Sequence, residues 1–122
     1  MKKINIIAIA QLPPAERHIE MGQIFKALEP LPDWEQAEAI KSLIEEMADK
    51  ANHDEYINLC FTNFNLQEDR SDSDVKHFLQ IRAQAAAGLP PKQQKRDHAI
   101  MNEALDRLDK PLQEKIMRNM PL

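Results

Sequence analysis

The composition of this 122-residue chain predicts an all-α fold. Glycine occurs only twice, aromatic residues make up 5% of the sequence, and strong helix formers such as Ala, Glu, Lys and Leu are abundant. Sheets use more β-branched and aromatic residues and more glycine-containing turns, so this balance favours helices. The length is typical of one domain. We therefore predict a single compact bundle of about five to six helices over residues 13–122, preceded by a short extended arm over residues 1–12.

The predicted arm is the one β-like piece of the chain. Ile4, Ile6 and Ile9 recur in a β-branched run, which favours an extended segment. A lone strand has no ladder partner, so it would have to cover a groove, pair with residues 56–64, or pair with another copy or a partner protein. The basic start is also typical of a secretory signal, but the apolar run is short and Asn5 interrupts it. We therefore expect a cytoplasmic protein.

The first two helices are predicted from apolar residues at helical spacing. Residues 15–28 place Met21, Phe25 and Leu28 on one side. The second helix has Asp33 as a good N-cap residue, followed by a long apolar stripe. The stripe comprises Ala37, Ile40, Leu43, Ile44, Met47 and Ala51.

The outer face of the second helix is predicted to be strongly acidic. At 100° per residue, five carboxylates fall opposite the apolar stripe. These residues, called the acidic ridge below, are Glu35, Glu38, Glu45, Glu46 and Asp49. Residues 29–74 as a whole hold thirteen acidic and only three basic side chains, although the net charge of the chain is −4. Such a ridge can steer and hold the basic surface of a partner protein, or it can simply keep the protein soluble.

Four further helices follow, each with a start or stop signal. The third begins from a capping box at Asn52, and a serine after the polar loop 65–72 caps the fourth. The fourth helix ends at Gly88, which suits a C-terminal stop position. The fifth covers residues 91–108, and a last short helix follows Asp109 with a proline in its first turn.

The fifth helix is predicted to carry basic side chains away from its apolar stripe. They are Lys92, Lys95, Arg96 and Arg107. With Lys110 and Arg118 of the last helix, this basic face could contact nucleic-acid phosphates. The turn before the last helix has no glycine, however, and that helix carries Leu112, Ile116 and Met117 where a DNA reader would place base-contacting side chains. Nucleic-acid binding is therefore the alternative hypothesis.

Motifs for metal chemistry do not occur in the sequence. There is no Cys-x-x-Cys, His-Glu-x-x-His or Glu-x-x-His. Asp74 and His77 have ligand-like spacing on one helix, but a site of this kind needs further ligands from facing helices. We expect no metal.

Nucleophilic and nucleotide chemistry are not indicated either. Cys60, the only cysteine, lies in an apolar stretch near Tyr56 and Phe64, where desolvation would raise the pKa of its thiol and make it inert. The two glycines, Gly22 and Gly88, are isolated, so no phosphate-binding loop is present. We expect no cofactor and no catalytic residues.

These observations favour a non-enzymatic protein that binds another protein with a basic surface through the acidic ridge, as an inhibitor, adaptor or regulatory subunit. A nucleic-acid-binding regulator that uses the basic face is the alternative, and an enzyme without a local signature is the third. Opposite charges on one surface also allow head-to-tail association of copies. No segment is apolar enough to make a membrane an expected partner.

Overall fold

A computed structural model describes residues 4–121, which form seven helices and no strand. The helices are α1 (Ile6–Ala10), α2 (Pro14–Leu28), α3 (Asp33–Lys50), α4 (His53–Asn65), α5 (Asp72–Ala87), α6 (Pro91–Asp106) and α7 (Lys110–Asn119). The all-α prediction is confirmed, and the six helices predicted after the arm all form. None of the described helices is both long enough and apolar enough to cross a membrane.

The predicted extended arm is wrong for residues 6–10, which form the short helix α1. Asn5 is its N-cap, because the Asn5 side chain accepts a hydrogen bond from the N–H of Ala8 at 3.1 Å. The helical turn places Ile6 and Ala10, four residues apart, on the same face, and both are buried. Burial of this face outweighs the β propensity of the isoleucines. Residues 56–64, considered as a strand partner, belong to α4, and residues 1–3 of the predicted arm lie outside the described part.

Proline and polar residues start the helices. Prolines occupy the N-cap positions of α2, α3 and α6. A backbone N–H at this position would have no acceptor within the helix, so proline costs no helical hydrogen bond there. The capping box at Asn52 is confirmed: its side chain accepts from the N–H of Glu55 at 2.8 Å, and the Glu55 carboxylate accepts from the N–H of Asn52 at 2.9 Å. Asp33, predicted as the N-cap of α3, is instead its first residue and follows Pro32.

The helices pack around one apolar core. Helix α3 packs against α5, α4 packs against α6, α1 contacts both α3 and α4, and α7 packs against α5. All seven helices contribute deeply buried apolar side chains, one from each being Ile6, Met21, Met47, Ile57, Val75, Ile100 and Ile116. This arrangement leaves the outer faces of α3 and α6 at the surface, and it opens a cleft where α2, α3 and α5 meet.

Candidate functional site

The acidic ridge lies on the outer face of α3. Glu38 and Asp49 are exposed, and the other three members are half-buried. Within the helix, Lys41 Nζ lies 3.8 Å from a carboxylate oxygen of Glu45, and Lys50 Nζ lies 3.6 Å from one of Glu46. Such (i, i+4) surface pairs contribute only about 0.3–0.5 kcal/mol and leave the side chains free to exchange partners.

Three members of the ridge keep an uncompensated charge. Among residues 4–121, no Lys, Arg or His nitrogen lies within 4.0 Å of the carboxylates of Glu35, Glu38 or Asp49. The ridge therefore presents a net negative surface even after the two lysine pairs are counted.

Trp34, the only tryptophan of the chain, stands beside the ridge with 62% of its surface exposed. At 100° per residue it falls on the side of Glu38 and Glu45, away from the apolar stripe of α3. This helical spacing was the signal in the sequence that could have singled it out. A large aromatic side chain left in water beside a charged surface is the type of residue that often dominates binding energy at protein interfaces.

Arg96, predicted on the basic face, has its guanidinium engaged with the protein itself. Its guanidinium donates to two backbone carbonyls at the C-terminal end of α3, from Nη1 to Ala48 O at 2.6 Å and from Nη2 to Ala51 O at 2.7 Å. The guanidinium carbon also lies 5.2 Å from the ring centroid of Tyr56, over the ring. Arg96, which is half-buried, therefore joins α6 to α3 and α4, and its role in a basic face stays a prediction.

The other predicted basic side chains lie at the two ends of α6. Lys92 and Lys95 are exposed near the start of α6, whereas Arg107 is its C-cap. Twelve residues separate Lys95 from Arg107, which corresponds to about 18 Å along a helix. Three acids lie between them: Asp97, which is buried, and Glu103 and Asp106.

A buried polar network that the sequence reasoning missed connects α4, α5 and α6. The Tyr56 hydroxyl donates to Asp97 Oδ1 at 2.5 Å. Arg82 donates from Nη1 to Asp97 Oδ2 at 2.9 Å and from Nη2 to Asp97 Oδ1 at 2.6 Å. Asp97 is 2% exposed. The sequence held a signal, because Arg82 and Asp97 fall at helical spacing on the apolar stripes that contain Leu79 and Ile100.

This network joins three helices and is poorly suited to proton transfer. Burial, followed by the negative charge of Asp97, raises the pKa of Tyr56 far above its usual range. Burial alone would lower the pKa of Arg82, but the hydrogen bonds and charge of Asp97 outweigh burial and raise it. Tyr56 and Arg82 thus both stay protonated at neutral pH, and their contacts with Asp97 connect α4, α5 and α6.

Cys60 is buried, as predicted, with 7% of its surface exposed. Burial raises the pKa of its thiol to about 11. We therefore expect a thiol-reactive disulfide reagent to label the native protein very slowly at neutral pH and to label it fully once denaturant is added. The Cys60→Ser variant gives the background of the assay. Rapid, complete labelling of the native protein at neutral pH would contradict the expected burial.

A half-enclosed cleft of about 300 Å³ lies between α2, α3, α5 and the loop after α4. Charged or ionisable side chains of both signs line it: Lys26, Glu29, Arg70, Asp74 and His77. Its apolar wall includes Phe25 and Phe78, whose rings meet edge to face with centroids 5.3 Å apart. Asp74 and His77 do come together here, but His77 Nε2 pairs with Asp33 Oδ1 at 2.9 Å. Within residues 4–121, no group of three or more potential ligands is arranged around a metal position.

No protein-family model, curated protein or solved structure matches the chain.

Proposed function

We propose that the protein acts without catalysis, by binding another protein that has a basic surface through the acidic ridge, with Trp34 as the apolar anchor of the contact. The observation that carries the proposal is the exposure of Trp34 on the same side of α3 as Glu38 and Glu45. Carboxylates steer a basic partner and set its orientation, whereas burial of an aromatic side chain supplies most of the affinity.

The distribution of charge supports this choice over nucleic-acid binding. Three carboxylates of the ridge form no ion pair with a described residue, whereas Arg96 is engaged with α3 and Arg107 lies far from Lys95. Affinity for a phosphate backbone grows with the number of Lys and Arg side chains that contact it at the same time. On α6 only Lys92 and Lys95 lie close together and exposed. The charges also allow the acidic ridge of one copy to bind the basic side chains of a second copy.

Reversing charge on the ridge is expected to abolish partner binding. The variant Glu35→Lys, Glu38→Lys, Asp49→Lys changes only ridge members that make no ion pair with a described residue, so it does not break existing pairs. The matched control is Glu16→Lys, Glu20→Lys, Glu114→Lys, which makes the same change in net charge. Glu16 lies in the first turn of α2 as Glu35 lies in the first turn of α3, so the helix-dipole penalty is matched.

The measurement is affinity capture from native lysate at low salt, with a nuclease-treated sample in parallel. We expect the wild type and the control to retain the same basic protein after nuclease treatment, and the ridge variant and Trp34→Ala to lose it. For the purified partner, a change in the fluorescence of the single tryptophan gives the affinity directly. Equal recovery by wild type and ridge variant would overturn the proposal, and recovery that disappears with nuclease would favour the basic side chains instead.

A further inference from the structure

The cleft between α2, α3 and α5 contains a guanidinium that is held in place with no carboxylate partner in the described part of the chain. Arg70 is half-buried in the loop after α4 and lines the cleft. Its Nη1 donates to Gln67 Oε1 at 3.0 Å. Among the residues from 4 to 121, no carboxylate oxygen lies within 4.0 Å of Arg70, although Glu29 and Asp74 line the same cleft.

Gln67 fixes the position of that guanidinium. Gln67 is 1% exposed, and both ends of its amide are engaged, because Nε2 donates to Asn63 O at 3.2 Å while Oε1 accepts from Arg70. Lys115 of α7 also holds the loop, by donating from Nζ to Glu68 O at 2.8 Å and to Arg70 O. A buried amide that orients an arginine costs conformational freedom and desolvation, and the result is a guanidinium prepared for a planar anion.

The rest of the cleft determines what kind of anion fits. A simple anion would be attracted by Arg70 and Lys26 but repelled by Glu29 and Asp74, so a ligand with charges of both signs fits the lining better. The edge-to-face pair of Phe25 and Phe78 offers a surface for an apolar group. The volume of about 300 Å³ is at the lower end for ligand sites, which restricts the ligand to a small molecule.

We propose that this cleft binds a small zwitterion of the α-amino acid class with an aliphatic or aromatic side chain. Arg70 receives the carboxylate, Glu29 and Asp74 face the ammonium group, and the side chain lies against the phenylalanine pair. The site is independent of the acidic ridge. Gln36 and Ile40, which line the cleft, lie on a different side of α3 from the ridge.

The test is calorimetric titration of the full chain with L-leucine and L-phenylalanine at millimolar concentrations. Two analogues of leucine serve as comparison: 4-methylpentanoate lacks the ammonium group, and 3-methylbutylamine lacks the carboxylate. We expect at least one amino acid to bind and either truncated analogue to bind about tenfold more weakly or not at all, because each loses a charge-assisted hydrogen bond. No binding of either amino acid, or equal binding of 4-methylpentanoate, would overturn the proposal.

Two variants separate the site from the stability of the fold. Arg70→Met is expected to abolish binding, whereas Lys76→Met, on the exposed side of α5, is expected to leave it unchanged. Gly22 lines the cleft in the middle of α2, and a Cβ there would meet only Leu66 Cδ2 at an ordinary 3.6 Å. Gly22→Leu should therefore fill the cleft and remove binding while the melting temperature stays level or rises, since leucine is the better helix former. Unchanged binding of the amino acid in both Arg70→Met and Gly22→Leu would overturn the proposal, because the amino acid would then bind outside this cleft.

Discussion

Replacing Asp97 with alanine is expected to lower the free energy of unfolding by about 3–5 kcal/mol, because the change leaves a buried cation without its counter-charge. Arg82 loses both of its hydrogen bonds to the carboxylate, and the Tyr56 hydroxyl loses its acceptor. Urea unfolding followed by far-UV circular dichroism measures the loss. Trp34 is a poor probe here, because it is already 62% exposed in the native state.

The matched control is Asp106→Ala, on the same helix. Asp106 is exposed and makes no ion pair with any described residue, so its replacement should change stability by no more than about 0.5 kcal/mol. A loss of similar size in the two variants would contradict the role given to Asp97.

Removing the whole network should cost less than removing its anion. The triple variant Tyr56→Phe, Arg82→Met, Asp97→Leu leaves no buried charge and no unpaired hydroxyl, and apolar replacements of buried ion pairs are often neutral or stabilising. We expect it to be more stable than Asp97→Ala. A triple variant that is less stable than Asp97→Ala would contradict this expectation, because it would show that the ion pair stabilises the fold more than apolar side chains do at the same positions.

The regular part of the bundle was predictable because local signals and burial agree there. In α3, helical spacing gave both the buried stripe and the outward carboxylates, and at Asn52 the capping box formed as expected. Residues 6–10 were predicted wrongly for a physical reason. Isoleucine favours strands when considered alone, but one turn of helix buries Ile6 and Ala10 against α3 and α4, and tertiary packing decides between the two.

The side-chain contacts between helices were less accessible from sequence. Arg82 and Asp97 lie fifteen positions apart, and their pairing depends on how α5 and α6 approach each other. The charged residues at core positions were visible, but their partners were not. The same holds for Gln67 and Arg70. The sequence placed both in a polar loop, whereas in the structure the buried amide of Gln67 orients the guanidinium of Arg70. Sequence periodicity describes one helix at a time, whereas these arrangements belong to several.

Arg96 gives the sharpest contrast between the surface predicted from sequence and the contacts in the structure. If it stood on an outward basic face, Arg96→Ala would leave stability unchanged and reduce retention of nucleic acid. Its hydrogen bonds to Ala48 O and Ala51 O lead to the opposite expectation. We expect Arg96→Ala to lower the free energy of unfolding by about 2–3 kcal/mol, because it removes two charge-assisted bonds, the contact over Tyr56 and a cation at the C-terminal end of α3.

Two variants show which property of Arg96 matters. Lys95→Ala removes the exposed neighbouring cation and should change stability by no more than about 0.5 kcal/mol. Arg96→Lys keeps the charge but not the planar fork that reaches two carbonyls at once, so it should recover only part of the loss. Full recovery of stability in Arg96→Lys would mean that charge alone stabilises the end of α3. An unchanged free energy of unfolding in Arg96→Ala would contradict the structural role given to Arg96. Because one guanidinium connects α6 with the end of α3 and the ring of Tyr56, its removal should loosen the contacts of α4 and α6, which also meet beside Asp97.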